Sequence, residues 1–235
     1  MTHEYNDDFY AYIGSGARSS AEVVVPLVLG EVAAARMLDV GGGKGVWGAV
    51  WEANGVHATV VDGDYVTEPL VEDFRARDLS QPLDLGERFD IVQSLEVAEH
   101  LPESSARGFV ESLARHGDIV VFSAAVPGQG GEHHVNEQPL DYWRALFAER
   151  DYDCFDFMRP VLAERTEVKP WYRYNILMFA NAAGQARLSQ RVLAARTDKV
   201  EEMGDLAWNL RKTVVKALPR KAVDGIAAYL AARKR

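Results

Sequence analysis

The chain has 235 residues, of which 48% are hydrophobic, and a formal net charge of −9 at pH 7. This length suits one α/β domain with additions, and the apolar content is enough for a full core. There is no apolar run of transmembrane length and no signal-peptide pattern, which predicts a cytoplasmic protein without a transmembrane segment. The single cysteine, Cys154, excludes an intrachain disulfide framework and is interpreted as a small buried residue.

The charge is unevenly distributed along the chain. From Ala186 onward there are 12 Lys and Arg residues against 5 Asp and Glu residues, a balance of +7, so the preceding residues carry −16. An acidic body repels phosphate at moderate salt, which disfavours nucleic acid as a partner. We therefore predict that the protein acts on a small molecule.

Predicted strands and helices alternate along the first two thirds of the chain. The predicted strands are residues 36–40, 58–62, 75–79, 89–94, 118–123, 152–159 and 174–180, and the predicted helices are 21–34, 46–54, 65–74, 104–115 and 140–149. This alternation has the spacing of βαβ units and predicts a doubly wound, mostly parallel α/β sheet of seven strands. The residues after 186 are predicted to form helices with a break at Pro219.

The sequence D-V-G-G-G-K-G connects the first predicted strand to a helix. Its glycines Gly41, Gly43 and Gly45 permit a tight turn with positive φ, and the following helix would direct free backbone N–H groups at a polar ligand. Val46 stands where a dinucleotide-binding fingerprint needs glycine, and no G-K-[ST] follows. The pattern predicts a nucleotide-type site at the carboxyl end of the strand, and a purely structural turn is the alternative.

Asp39 followed by these glycines resembles the first motif of class I S-adenosylmethionine (SAM)-dependent methyltransferases. Further polar residues follow the later strands in the order of that family. The resemblance implies a Rossmann-like methyltransferase fold that binds SAM, with cofactor contacts from Asp39, Gly41, Gly43, Gly45, Asp62, Gly63, Asp78, Leu79, Ser94 and Glu96. A carboxylate at the end of the second strand can accept both ribose hydroxyls, whereas each Asp can also be a turn former.

Glu96, Glu99 and His100 are spaced i, i+3, i+4 and would share one side of a helical turn. Together with His133 or His134 they offer oxygen and nitrogen donors for a divalent cation. This cluster resembles the metal site of small-RNA 2′-O-methyltransferases and ubiquinone-pathway O-methyltransferases, which implies Mg²⁺ or Mn²⁺. Many metal-free class I enzymes also carry E-x-x-E-H-L. In that case His133 or His134 is the catalytic general base, because imidazole titrates near neutral pH.

Segments 134–143 and 169–175, with the N-terminal aromatic residues, resemble small bacterial methyltransferases found beside sugar-modifying and natural-product genes. This resemblance spans roughly residues 5–180 and implies the enzyme class without fixing a substrate. We predict methylation of a hydroxyl of a small polar metabolite, a sugar or glycosylated natural product, because the possible metal chelate favours O-methylation over N-methylation. Candidate acceptor contacts are Asn136, Glu137, Gln138, Arg159 and Trp171. The alternative is that the polar groups are caps and that Trp143 and Trp171 belong to the core.

We divide the chain into an N-terminal lid or helix (residues 1–30), a SAM-binding methyltransferase domain (31–185) and a basic helical C-terminal extension (186–235). The basic amphipathic stretches 210–221 and 226–235 suit an acidic lipid surface, an acidic partner or a homodimer interface. They equally suit helices packed on their own domain. Two further alternatives are a cofactor-binding scaffold without turnover and an RNA methyltransferase whose basic extension carries the RNA.

Overall fold

A computed structural model describes residues 7–219 and residues 222, 223 and 225, with side chains described from residue 16 onward. The strands are β1 (Arg36–Val40), β2 (His57–Asp62), β3 (Asp73–Ala76), β4 (Ile91–Leu95), β5 (Ile119–Ser123), β6 (Asp153–Phe155), β7 (Leu177–Ala180) and β8 (Arg196–Thr197). The helices are α1 (Asp7–Leu29), α2 (Val46–Ala53), α3 (Ala106–His116), α4 (Leu140–Ala148), α5 (Met158–Leu162), α6 (Pro170–Asn175), α7 (Ala182–Gln185), α8 (Gln190–Leu193) and α9 (Leu206–Lys216). Two 3₁₀ turns, Ala98–His100 and Glu103–Ser105, follow β4.

All eight strands form one sheet in the order β3-β2-β1-β4-β5-β7-β6-β8. β1 pairs in parallel with both β2 and β4, and β7 pairs antiparallel with β5 and β6. The chain moves outward from β1 to β3 and then returns to β4 on the other side, so the order reverses between β1 and β4. In doubly wound folds the ligand crevice lies at the carboxyl ends of the strands at this point. The predicted doubly wound, mostly parallel fold is confirmed, with eight strands instead of seven because β8 adds to β6.

The core lies on both faces of the sheet. One cluster of buried side chains joins α1 and α2 to one face, and a second joins α3 and α4 to the other. β4 and β5 are buried at every residue, as expected for parallel strands covered on both sides. Cys154 in β6 is buried as predicted, and burial raises the pKa of its thiol to about 12.

One predicted helix is wrong, and three predicted strands have other bounds than expected. Residues 65–72 contain no helix, and the third strand begins at Asp73 and ends at Ala76. Asp73 is held at the strand position by Thr59 Oγ, which donates to its carboxylate at 2.7 Å, and by Arg75. The strand predicted over residues 152–159 ends at Phe155, and the strand predicted from residue 174 begins at Leu177. α6 occupies the residues before that strand because Pro170 is favourable in a first helical turn.

The two ends of the chain also differ from expectation. α1 covers residues 7–29 instead of 21–34 and contains Pro26. The predicted lid falls partly on residues 1–6, which lie outside the described residues, and otherwise on α1. The described part of the C-terminal extension contains α8 and α9 together with β8, so it is only partly helical. The predicted helix over 226–235 lies outside the described residues. Within the described part of the chain, no helix is long and apolar enough to cross a membrane.

Candidate functional site

The turn between β1 and α2 is shaped by its glycines. Gly41, Gly43 and Gly45 have φ values of 82°, 55° and 84°, which strain any residue with a Cβ atom. A Cβ on Gly41 would lie 2.4 Å from Val97 Cγ2, and one on Gly42 would lie 2.6 Å from Asp39 Oδ2. The turn therefore approaches both the end of its own strand and the loop after β4.

Asp39 lies at the end of β1 and is 2% exposed. Its Oδ1 accepts a hydrogen bond from Gln93 Nε2 at 3.1 Å, and Gln93 Oε1 accepts one from Trp51 Nε1 at 3.1 Å. Its Oδ2 has no hydrogen-bond partner among the described residues. Burial raises the pKa of Asp39 to about 7. The hydrogen bond from Gln93 lowers this pKa, and the nearby negative charge of Asp62 raises it.

Asp62 ends β2 and joins it to the glycine turn. Its carboxylate accepts hydrogen bonds from Gly43 N at 2.7 Å, from Gly63 N at 2.7 Å and from the Tyr65 hydroxyl at 2.5 Å. A Cβ on Gly63 would lie 2.0 Å from Tyr65 Cε1, so glycine allows this close packing. Asp62, the residue predicted to bind the ribose, is thus positioned at the sheet edge by hydrogen-bond donors of the protein itself.

Asp78 and Leu79 lie beyond the end of β3 instead of on a strand. Arg77 N donates to the Asp62 carbonyl at 2.7 Å, which keeps this segment at the same sheet edge. Asp78 is exposed, and its carboxylate accepts from Ser80 N at 2.9 Å and from Ser80 Oγ at 2.7 Å. In this structure Asp78 therefore closes a turn, while Leu79 is half-buried.

Ser94 and Glu96 mark the end of β4. Ser94 is fully buried and its Oγ has no partner within the described chain. Glu96 has a φ of 57°, an uncommon conformation for a residue other than glycine. Gln129 Nε2 donates to its Oε2, and its buried Oε1 has no partner among the described residues. Burial raises the pKa of Glu96 to about 7, although hydrogen bonds from Gln129, Ser123 and Asn175 act in the opposite direction.

Glu99, His100 and His134 converge beside this strand end. Their ligand atoms all lie within 4.8 Å of one another, and the two imidazole rings meet edge to face at 5.0 Å. Glu99 is 0% exposed, and neither of its carboxylate oxygens has a hydrogen-bond partner among the described residues. Burial, followed by repulsion from Glu96, raises the pKa of Glu99 well above its usual range. Glu96, the fourth predicted metal ligand, lies outside this group.

The two neighbouring histidines differ in exposure. The side chain of His134 is 11% exposed, and its Nδ1 lies 2.9 Å from Glu137 Oε1. His133 has a φ of 57° and a side chain that is 48% exposed. Glu137 also accepts from Gly128 N at 2.8 Å and Gly130 N at 2.7 Å. Although burial opposes ionisation of Glu137, its hydrogen bonds hold its pKa below the usual range.

Three residues of this region were not among the predicted site residues. Gln129 Oε1 accepts from Asn175 Nδ2 at 2.8 Å, so the amide that binds Glu96 is itself fixed from α6. Tyr172 is 4% exposed, packs edge to face on Trp47 at 5.1 Å and lies near the charges of Glu96 and Asp39. Asn175 and Tyr172 belong to a segment whose resemblance to methyltransferases was recognised. Gln129 lies in a glycine-rich loop whose course could not be predicted.

The predicted acceptor contacts separate into two groups. Asn136 is buried beside the cluster, and its Nδ2 has no partner among the described residues. Arg159 is 1% exposed and bonds Asp156, the Tyr174 carbonyl and the Glu201 carbonyl. The interpretation of Arg159 as an acceptor contact is therefore wrong, because its guanidinium is used in holding the fold together. Trp143 and Trp171 pack with the cores on the two faces.

The sheet order, the glycine turn at the switch point and the acids along its edge define a methyltransferase-like α/β protein. Residues 15–158 match a family model described as a methyltransferase domain. The match covers more than half of the chain, which therefore belongs to the methyltransferase domain family. A comparison with curated proteins finds no match.

Solved methyltransferase structures share the fold at low sequence identity. An O-methyltransferase family protein from Burkholderia thailandensis has a TM-score of 0.55 and 11% identity, over 73% of this chain and 57% of that chain. A putative O-methyltransferase from Nostoc punctiforme PCC 73102 has a TM-score of 0.54 and 11% identity, over 74% and 59%. The magnesium protoporphyrin IX methyltransferase from Synechocystis PCC 6803, solved with bound SAM, has a TM-score of 0.51 and 18% identity, over 77% and 87%. The chain thus spans under three fifths of the length of the first two proteins.

Proposed function

We propose that the protein is a SAM-dependent methyltransferase. Family membership supports this function. The observation that carries it is the end of β1 and β4, where Asp39 Oδ2 and Ser94 Oγ are buried without partners among the described residues, beside a turn with no room for a Cβ at Gly41 or Gly42. Buried polar atoms usually have partners, so these atoms fit a polar ligand. When bound, SAM supplies a methyl group on a positively charged sulfonium.

The cofactor contacts proposed from the sequence have distinct tasks. The amides of the turn at Gly41, Gly43 and Gly45 would bind the polar parts of the cofactor, and Asp62 would accept the ribose hydroxyls. Gly63 leaves room for the ring of Tyr65, whose hydroxyl donates to Asp62. The others, proposed to complete the adenine and methionine contacts, are Asp39, Asp78, Leu79, Ser94 and Glu96.

We propose a hydroxyl group of a small polar metabolite, such as a sugar or glycosylated natural product, as the methyl acceptor. The buried Glu99, His100 and His134, with Asn136 beside them, provide the polar lining that orients a hydroxyl. A divalent metal held by Glu99, His100 and His134 would lower the hydroxyl pKa. One carboxylate and two imidazoles form a mixed donor set that suits Mn²⁺ better than Mg²⁺.

A second candidate is an O- or N-methyltransferase without metal, in which His134 is the general base. The contact of 2.9 Å between His134 Nδ1 and Glu137 favours it. If Nδ1 donates to the carboxylate, Nε2 carries the lone pair that can take a proton from the acceptor. His133 is a weaker candidate for this task because it is exposed.

The first test is calorimetric titration of S-adenosylhomocysteine into chelator-treated protein, repeated with Mg²⁺ and with Mn²⁺. Cofactor binding under all conditions, with a separate metal event that Glu99→Ala abolishes, supports the metal-assisted function. Cofactor binding with no metal event supports the histidine base. Failure of S-adenosylhomocysteine to bind under every condition would overturn the methyltransferase proposal.

A matched pair of variants distinguishes the histidines. His134→Asn should slow methyl transfer by about 100-fold, the usual contribution of one general base, while His133→Asn should remain within about twofold. Product formation is followed with isotopically labelled SAM across a panel of sugars and glycosides. Equal losses of methyl-transfer rate in the two variants would contradict both proposed roles of His134, as a metal ligand and as the general base.

A further inference from the structure

Helix α9 has one face fixed to its own domain. Trp208 and Lys212, one turn apart, are 3% and 5% exposed. The Trp208 ring lies 6.0 Å from that of Tyr174, and Lys212 Nζ donates to Glu202 Oε2 at 2.6 Å. Asp205 caps the helix by accepting from Trp208 N at 2.7 Å. These contacts make α9 a fixed part of the molecular surface.

The opposite face of α9 and the turn after it carry an apolar row, here named the outer stripe, made of Leu206, Leu210 and Val214 on the helix and Leu218 two residues beyond its end. These residues are spaced four apart, and they are 86%, 62%, 52% and 37% exposed. They account for four of the seven large exposed hydrophobic residues among the described positions. Exposed apolar surface that is concentrated on one helix marks an interaction site more often than scattered residues do.

Charge changes sign along α9. Glu201, Glu202 and Asp205 precede its first residue, and Glu202 is already paired with Lys212. Lys216 is its last residue, Arg211 lies at its midpoint, and the sequence continues with Arg220 and Lys221. Two such helices side by side in antiparallel orientation would place the acidic end of each against the basic end of the other. The same arrangement aligns two outer stripes along their full length.

We propose that the outer stripe is a homodimer interface, in which α9 packs antiparallel against α9 of a second copy. In this arrangement Leu206 meets Leu218 of the partner subunit, and Leu210 meets Val214 of the partner subunit. The self-complementary charge favours a second copy over an anionic lipid surface, which the acidic body would repel. One pair of short helices covers less than the roughly 1,600 Å² of a standard interface, so the dissociation constant is expected to be micromolar.

The first experiment is sedimentation velocity of the full chain from low to several hundred micromolar concentration. The wild-type protein should pass from monomer to dimer, and Leu210→Glu or Val214→Glu should weaken the dimer by at least tenfold. Val161→Glu is the matched control, because Val161 in α5 is also exposed, at 37%, but lies off the stripe. Thermal melting checks that each variant is folded. A wild-type monomer throughout, or a dimer unaffected by both stripe variants, would overturn the proposal.

The second experiment tests the antiparallel register through disulfide formation. Cys154 is 2% exposed, so a cysteine introduced at the surface reacts without competition. Mixed Leu210→Cys and Val214→Cys proteins should cross-link faster than either protein alone. Faster self-cross-linking of Val214→Cys would contradict the register. Binding of a monomer to phosphatidylserine vesicles, lost in Leu210→Glu, would assign the stripe to a lipid surface and overturn the homodimer.

Discussion

The two halves of the ligand edge differ in how completely the protein satisfies its own polar groups. On the β2 side, the carboxylate of Asp62 accepts three hydrogen bonds from neighbouring residues. On the β4 side, the two oxygens of Glu99 and one oxygen of Glu96 have no partners among the described residues. The β2 end of the edge is therefore formed in advance of any ligand, whereas the β4 end, like Asp39 Oδ2 on β1 between them, leaves buried polar atoms for a ligand to satisfy.

This difference has an energetic meaning. A buried polar group without a partner destabilises a fold by about 1–3 kcal/mol, and an uncommon backbone conformation such as that of Glu96 adds to the cost. Proteins concentrate such costs at functional sites. The β4 side is thus where we expect the reaction to be controlled, and the β1–β2 side is where we expect the cofactor to be held.

Glu99→Gln should separate these two tasks most strongly. The amide keeps the shape of the side chain but cannot become a carboxylate, so methyl transfer should fall by about 1,000-fold, within the range for a directly acting group. Calorimetric affinity for S-adenosylhomocysteine should change by less than threefold. A large loss of cofactor affinity would show that the two halves are not independent.

The pH dependence of stability should reveal Asp39. Because burial raises its folded pKa from 3.8 to about 7, the folded protein binds this proton more tightly than the unfolded chain. Stability contributed by the proton is complete below about pH 4 and is lost as pH rises through about 7.

Asp39→Asn removes that titration. Between about pH 4 and pH 7 the wild-type protein should therefore lose up to about 4 kcal/mol more unfolding free energy than the variant. Urea denaturation at several pH values measures the difference between wild type and variant. Glu96 titrates in a similar range and is present in both proteins, so both keep part of the dependence of unfolding free energy on pH. Identical slopes in the two proteins would contradict the raised pKa of Asp39.

Two glycine substitutions separate backbone strain from steric overlap. Gly41 and Gly55 share a φ of 82°, but a Cβ on Gly41 would meet Val97, whereas one on Gly55 would meet nothing within 4 Å. Gly41→Ala should weaken S-adenosylhomocysteine binding by about 100-fold, since overpacking of roughly 1–3 kcal/mol displaces the turn. Gly55→Ala should cost about 1 kcal/mol of stability and leave binding unchanged. Equal effects on binding would contradict the role of the overlap.

The smallest expected effect tests whether the hydrogen bonds that Asp62 already accepts compete with those of a bound ribose. The Tyr65 hydroxyl donates to Asp62, so a bound ribose must share or replace this bond. Tyr65→Phe should therefore strengthen calorimetric binding of S-adenosylhomocysteine by about threefold, the factor equivalent to roughly 0.6 kcal/mol. A tenfold loss would indicate instead that Tyr65 contacts the ligand directly.

The two halves also differ in how far the sequence predicts them. The β1–β2 side is encoded by short contiguous segments, so the turn at Gly41 and the carboxylate at Asp62 could be located in advance. The β4 side is assembled from loops far apart in the chain, where Gln129 and Asn175 meet Glu96. Nothing local indicates such contacts.

Two further features of the fold could not be predicted from the sequence, because each depends on contacts of individual side chains. The helix predicted over residues 65–74 cannot include Asp73, because that residue pairs with β2, where Thr59 donates to the Asp73 carboxylate from another strand. The orientation of the adjacent histidines depends on the backbone of His133 and on Glu137, which binds His134. Periodicity predicts the strands and helices, but it contains no information on these side-chain choices.

The contact between Gly41 and Val97 has a consequence for engineering. Grafting a different loop after β4, to change which acceptor is used, would alter the side chain that faces the glycine turn. A bulkier residue at position 97 would push on the turn even though Gly41 itself is unchanged. Chimeras that exchange residues 41 and 97 together should therefore tolerate new loops better than chimeras that exchange the loop alone.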